Sequence, residues 1–315
     1  MYHAPVLCKE AVTFLNIRSS LTYLDGTVGG GGHAEQICEL LTGGGRLLCV
    51  DRDAEALAAA HKQLARFGSR TLFLHAPFDT LSGDIRALDI QCFAGILLDL
   101  GVSSHQLDEE RRGFSFRTDA PLDMRMDPRQ EQSAWHVVNT YDENRLADVL
   151  WRFGEERHSR RIARRIVERR PLNTTGDLRK VTSGAVGSAH RVKTLARVFQ
   201  ALRIEVNGEL DRLARFLGEV PDLLQPGGRL VVISYHSLED RIVKEFMRGE
   251  AIPPRQPGFL PVDEIPVRFR LVSRKPIVAT EQEIAENPRA RSAKMRVAER
   301  TDVRFETREA VAGQR

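Results

Sequence analysis

The stretch Gly26-Thr27-Val28-Gly29-Gly30-Gly31-Gly32-His33 stands between a short apolar run, Leu21-Thr22-Tyr23-Leu24-Asp25, and a segment with helical periodicity. So many glycines at a strand-to-helix junction let the backbone come close to a ligand and leave the first amides of the helix pointing at it. An ordinary glycine-rich loop is the alternative. The residues downstream of the turn decide between the two.

After Gly43-Gly44-Gly45, the run Arg46-Leu47-Leu48-Cys49-Val50-Asp51 reads as a second strand that ends on a carboxylate. A helix is expected over residues 54–67, and further strands over residues 71–75 and 93–99. Apolar strands alternating with helices imply an α/β chain with a parallel sheet covered on both faces. After Asp108 the alternation stops, and about ninety residues carry helical periodicity with many arginines. It resumes with a helix expected near residues 205–224, then Gln225-Pro226-Gly227-Gly228 and the β-branched strand over residues 229–234. The domain organisation read from this is a discontinuous domain of residues 1–108 and 201–315 with a helical insert at residues 109–200. A proline-rich connector over residues 253–266 leads to an apolar run over residues 267–272 and a basic segment to which no fold is assigned; the last dozen residues are expected to fray.

With 315 residues, 42% of them apolar, the chain can bury a substantial core. No apolar run approaches the ~18 residues a membrane helix requires, and the first residues carry no basic-then-apolar signal pattern, so a cytoplasmic protein is expected. Cys8, Cys38, Cys49 and Cys92 form no C-x-x-C pair, so buried free thiols are expected and no metal. The charge is unevenly spread. Residues 109–200 hold 19 basic and 13 acidic side chains, a net of +6, whereas the whole chain nets +4. A basic excess confined to one stretch points to a local polyanion-binding surface.

Asp51 lies the distance beyond the glycine turn at which α/β nucleotide sites place a carboxylate for both ribose hydroxyls. NAD, FAD and S-adenosylmethionine all use such a scaffold. A P-loop is disfavoured, because the glycines lead into His33-Ala34 and not into Gly-Lys-Ser/Thr. Three features favour S-adenosylmethionine. Asp25, just before the glycines, suits a ligand carrying an ammonium and a sulfonium better than a pyrophosphate. Phe78, after the third strand, can cover an adenine or simply fill the core. The Pro-Gly-Gly-Arg-Leu string before the late strand is common in methyltransferases. At the ends of two further strands, Asp99-Leu100-Gly101-Val102-Ser103-Ser104-His105-Gln106 and Ser234-Tyr235-His236-Ser237 should face the same crevice. Asp99 and His236 are the candidate catalytic groups, although a Ser or His there can equally cap a helix. No G-x-S-x-G or H-E-x-x-H motif supports a hydrolase. In the insert, Arg157, Arg160, Arg161, Arg164 and Arg165 fall on one arc of a helix, opposite Ile162, Ala163, Ile166 and Val167. The stripe is either a solvated, ion-paired face or a contact for RNA phosphates.

Taken together, residues 25–33, 47–53, 96–104, Gly113-Phe114-Ser115-Phe116, residues 121–127, Gly154-Glu155-Glu156-Arg157, residues 236–241 and Asn287-Pro288-Arg289-Ala290-Arg291-Ser292 closely resemble the bacterial 16S rRNA cytosine-N4 methyltransferase family, long called the MraW family. The resemblance implies a Rossmann-like methyltransferase sheet interrupted by a helical recognition domain, with S-adenosylmethionine as cofactor. It implies N4 of a cytidine in the decoding region as target, on 16S rRNA in the small ribosomal subunit or a late assembly intermediate. It also implies that Gly31, Gly32 and His33 contact the methionine part, Asp51 the ribose, Phe78 the adenine surroundings, and Asp99 and Gln106 the remaining polar groups. Val28, Ala34, His105 and Tyr235 depart from the residues usual at their places. An NAD-dependent oxidoreductase on the same sheet, or a ribosome-assembly protein with an idle pocket, are the competing readings.

Overall fold

The computed structural model describes residues 5–81, 83–249 and 269–301. The first half alternates strands and helices in the expected order: α1 (Cys8–Leu15), β1 (Thr22–Asp25), α2 (Gly32–Leu40), β2 (Arg46–Asp51), α3 (Ala54–Leu64), β3 (Thr71–His75), α4 (Asp84–Ala87), β4 (Phe93–Asp99) and α5 (Ser104–Asp108). The helical stretch comes next as α6 (Ala134–Thr140), α7 (Glu143–Gly154), α8 (Ser159–Glu168), α9 (Thr175–Ala185) and α10 (Arg191–Asn207). The chain then returns to the sheet through α11 (Glu209–Leu223), β5 (Leu224–Ser234), α12 (Ser237–Met247), β6 (Phe269–Leu271), α13 (Glu281–Glu286) and β7 (Lys294–Arg300). The connector over residues 253–266 and the last dozen residues lie outside the described residues.

These strands form one sheet in the order β3-β2-β1-β4-β5-β7-β6. The first five run parallel, and β7 runs antiparallel to both of its neighbours. The order reverses between β1 and β4, so the crevice for a ligand opens at the carboxyl ends of those strands. The reversed β7 departs from the 3-2-1-4-5-6 arrangement of dinucleotide-binding sheets. It lies in the basic segment that the sequence left unassigned.

Three apolar clusters hold the molecule. One lies on the α11–α12 face of the sheet around Phe93, Phe216 and Val232, and a second on the opposite face around Leu15, Tyr23, Leu47 and Val297. The third is built from residues 114–206 and packs α6 to α10 upon one another, around Leu146, Leu150, Ile162, Ile166 and Leu202. Within residues 109–200 the one β-bridge among described residues is Pro121–Thr174.

Three local expectations change. The helix expected over residues 205–224 is two helices, because Gly208 takes a left-handed φ of 58° and ends α10 with its N–H on the carbonyl of Ile204. The expected boundary at 200/201 therefore falls inside α10, whose Ile204 belongs to the sheet cluster and whose Val206 belongs to the helical one. Of the cysteines, Cys38 and Cys49 are buried as expected, while Cys8 and Cys92 are half-buried; all four are free.

Candidate active site

The glycine turn, the ends of β1, β2 and β4 and the α5 loop enclose a cleft of about 870 Å³. The turn is set by steric necessity at two points. A Cβ on Gly26 would lie 2.6 Å from Leu98, and Gly31 combines a φ of 90° with a close approach of α2 to Ala60, 3.3 Å from where its Cβ would be. Gly31 is therefore the hinge of the turn and is not among the residues that line the cleft, whereas Gly32 is. His33 lines it too. Its Nε2–H donates to the carbonyl of Val6 (3.0 Å), and its Nδ1 stands 3.7 Å from Asp99 Oδ2.

Three acids end three adjacent strands. Asp25 is buried, its Oδ1 accepting from the Thr27 amide (3.1 Å). Burial pushes its carboxyl up to about 8, reinforced by the charges of Asp99 and Asp51 and opposed by that amide. Asp51 accepts from the amides of Gly29 and Asp53, both at 2.9 Å, and burial still holds it above the usual carboxylate range. Asp99 accepts from the hydroxyl of Tyr235 (2.8 Å), and its backbone amide donates to Thr27 Oγ1 (2.6 Å). Burial raises it as well, against the pull of His33 and Tyr235. Asp51 and Asp99 both line the cleft, as does Phe78, whose ring meets Phe216 edge-on at 5.3 Å. Two acids lining one crevice, Asp51 and Asp99, repel a pyrophosphate and suit a cationic nucleoside. The residues present fit S-adenosylmethionine on that ground.

An acid whose folded pKa lies above its unfolded value binds more protons when folded, so it favours the folded state less as pH rises. Between about pH 4 and pH 8, the ligand-free wild type should therefore lose stability relative to Asp25→Asn, by at most ~1.4 kcal/mol per pH unit. Urea unfolding of both proteins at pH 5 and pH 8 checks this; parallel profiles would show that Asp25 ionises normally.

The structure reassigns several other candidates. Gln106 lines the cleft, but its carboxamide is largely committed: Oε1 accepts from Ser103 N (3.0 Å) and Nε2 donates to Asp53 Oδ2 (2.7 Å). Ser234 turns away from the crevice and donates to the carbonyl of Lys294. His236 caps α12, and Nε2 lies 3.2 Å from Glu239 Oε1; it is absent from the cleft lining and stands behind Glu239, which is part of that lining. Burial works against the charge on Glu239, but His236 and Arg203 together hold its pKa below the usual range. Glu209, His236 and Glu239 bring three possible ligand atoms within 4.8 Å, yet a cation is already in place, because Arg203 grips both oxygens of Glu209 at 2.9 Å.

Of the arginine stripe, Arg160, Arg161 and Arg164 are exposed on α8, and Arg164 stands 3.5 Å from Glu143. Arg157 is exposed but precedes the helix, which starts at Ser159, so it does not belong to the helical arc. Arg165 is half-buried and donates to the carbonyl of Gly184 (2.6 Å), which ties α8 to α9. The turn after α7 reaches the sheet domain, where Glu155 accepts from Ser237 Oγ (2.9 Å).

Sequence reasoning passed over the groups that hold this site in place. Arg112, buried, donates to Asp53 Oδ2 (2.9 Å) and to the carbonyls of Arg125 and Met126 (3.0 Å each). Asn207, at the end of α10, accepts from Met126 N and donates to the carbonyl of Met124, both at 2.8 Å. Asp79, next to Phe78, is clamped by Arg212 (2.9 Å) and Arg215 (2.6 Å). Such buried polar residues are visible as types, but their partners lie 13 to 136 residues away, most of them beyond 50.

Comparison with known proteins agrees with this geometry. The family model described as MraW methylase family matches residues 1–301. The chain is 48% identical over 306 residues to "Ribosomal RNA small subunit methyltransferase H" of Dehalococcoides mccartyi, covering 95% of this chain and 86% of that one. It is 48% identical to the protein of the same name from Trichormus variabilis, covering 95% and 92% of the two chains. With that of Synechococcus elongatus it shares 46% identity over 95% of each.

Proposed function

The chain belongs to the MraW methylase family and is an S-adenosylmethionine-dependent methyltransferase of small-subunit ribosomal RNA, and from this we propose that it methylates N4 of a cytidine in 16S rRNA within the small subunit or a late assembly intermediate, in the cytoplasm. The observation that carries the reading is the pair of cleft-lining acids, Asp51 and Asp99, at the ends of strands on either side of β1, whose own last residue, Asp25, is buried beneath the glycine turn. Among the described residues no helix is long and apolar enough to cross a membrane.

When bound, S-adenosylmethionine supplies an electrophilic methyl group on a sulfonium. The chain supplies alignment. Asp51 has one backbone donor on each oxygen, which leaves each a further lone pair for a ribose hydroxyl. Gly32 and His33 hold the methionine end, and Phe78 with Leu213 walls the adenine. An exocyclic cytosine amine is a weak nucleophile, because its lone pair is delocalised into the ring. Asp99 accepts an N–H from that amine, which localises the pair and offsets the positive charge that develops on nitrogen. Tyr235 holds Asp99 in position, and His236 positions Glu239, which accepts from the Tyr235 amide, without touching substrate. Residues 109–200 form the substrate-recognition unit, with Arg157, Arg160, Arg161 and Arg164 facing RNA phosphates and Arg165 bracing the helix that carries the last three.

The test uses small subunits isolated from cells lacking the protein, labelled cofactor, and mass-spectrometric mapping of the product. One methyl group on a cytidine N4 is expected. Arg160→Glu with Arg161→Glu should raise the KM for subunits about tenfold or more, steeply with salt, and leave kcat within about twofold. Methyl transfer to another base, or a fall in kcat alone, would refute the respective assignment.

A further inference from the structure

The Asn287-to-Ser292 motif has no part in the roles above, yet it supplies Asn287, Arg289 and Ser292 to the cleft wall. It forms a 3-10 turn, Pro288–Ser292, opened by Asn287 Oδ1 accepting from Arg289 N (3.2 Å) and anchored by the buried Ala290. Arg289 is fixed on one side, with Nη2 donating to Asp108 Oδ1 at 2.9 Å. Its Nη1 is shielded from solvent and has no hydrogen-bond partner among the described residues. The side chain as a whole is 33% exposed, but a shielded N–H that meets no acceptor is unfavourable, and an acceptor that arrives with a ligand removes that penalty.

The place of Arg289 indicates which ligand group this is. Glu283, on α13 just before the turn, accepts from Leu7 N (2.7 Å); the neighbouring Val6 carbonyl accepts from His33, and Pro5 lies against Gly32. Arg289 thus stands on the wall that is tied to the glycine turn and His33. Four arginines line the cleft. Arg203 is taken by Glu209, Arg212 by Asp79, and Arg52 by the carbonyl of Asn207. Arg289 is the one that keeps a buried nitrogen without an acceptor. Asp99, 3.7 Å from His33, provides for a cationic group at this end of the cleft, and a zwitterionic amino-acid tail also brings an anion.

We propose that Arg289 is an oxyanion-binding residue whose Nη1 receives the carboxylate of the cofactor's methionine part. An RNA phosphate is the other source of the same chemistry. The inference rests on the reading that the cleft binds S-adenosylmethionine. Calorimetry on the full chain separates the cases by using S-adenosylmethionine and its decarboxylated analogue, which lacks only the carboxylate. The wild type should bind S-adenosylmethionine about 10- to 100-fold more tightly than the analogue, a margin that Arg289→Gln abolishes and Arg289→Lys partly keeps. The wild-type comparison needs no variant, so it survives a folding defect. If a phosphate is the ligand, the two compounds bind wild type equally, while Arg289→Gln weakens small-subunit binding about tenfold and lowers its salt slope by about one; that result keeps the oxyanion site and overturns the carboxylate. No preference in wild type together with unchanged subunit binding in the variant overturns the proposal. A wild type that binds neither compound sinks the cofactor reading, and this inference with it.

Discussion

Arg112→Ala should lower the unfolding free energy by about 3–5 kcal/mol, the range found when one partner of a buried ion pair is removed. Arg112 is 7% exposed and Asp53 is fully buried, so loss of the guanidinium leaves a carboxylate without its charge partner in the interior. Two carbonyls, of Arg125 and Met126, lose their donor at the same time. The effect should also reach the cleft. Asp53 N donates to Asp51, and Asp53 Oδ2 holds Gln106, so the ribose carboxylate and the α5 loop share one support. Thermal and urea unfolding measure the first effect, and cofactor affinity of the folded fraction measures the second. A loss below about 1 kcal/mol would mean that water or a rearranged Lys or Arg takes over the role.

Asp51→Ala should weaken S-adenosylmethionine binding by about 100-fold or more, because two hydrogen bonds to a charged acceptor are lost, each contributing ~1.5–3 kcal/mol. Asp51→Asn should fall between alanine and wild type, since it keeps one acceptor oxygen. Stability should fall as well as binding: burial raises the Asp51 carboxyl, but asparagine turns an NH2 group toward one of the two backbone N–H donors that Asp51 accepts, so Asp51→Asn should lose about 1–3 kcal/mol of unfolding free energy together with cofactor affinity. Calorimetric titration of both variants decides the matter, and a dissociation constant within threefold of wild type for Asp51→Ala would remove Asp51 from the ribose.

The parts of this protein that were legible in the chain are those governed by local rules. The alternation of strands and helices to Asp99, the glycine turn, and the acids at strand ends all follow from short-range periodicity and from the conformational freedom of glycine. The strand β7 was not legible: Lys294–Arg300 earns its place by pairing with β5, sixty to seventy residues earlier, as in Arg229 with Glu299, and with β6 on its other side. The split of α10 from α11 depended on one left-handed glycine that the helical periodicity ran through.

By itself, the sequence determined that there is a nucleoside site in an α/β sheet, which acids approach it, and that a basic helical insert interrupts it. Tertiary structure alone decided what each polar side chain does there. Gln106 spends its amide on Asp53, His236 stands behind Glu239, Arg165 braces a neighbouring helix, and Arg289 comes into the cleft from the far end of the chain. The reason is physical. A backbone conformation is chosen by residues within a few positions, but a buried polar atom is satisfied by whichever partner the packing brings within about 3 Å, and that partner can come from anywhere in the chain.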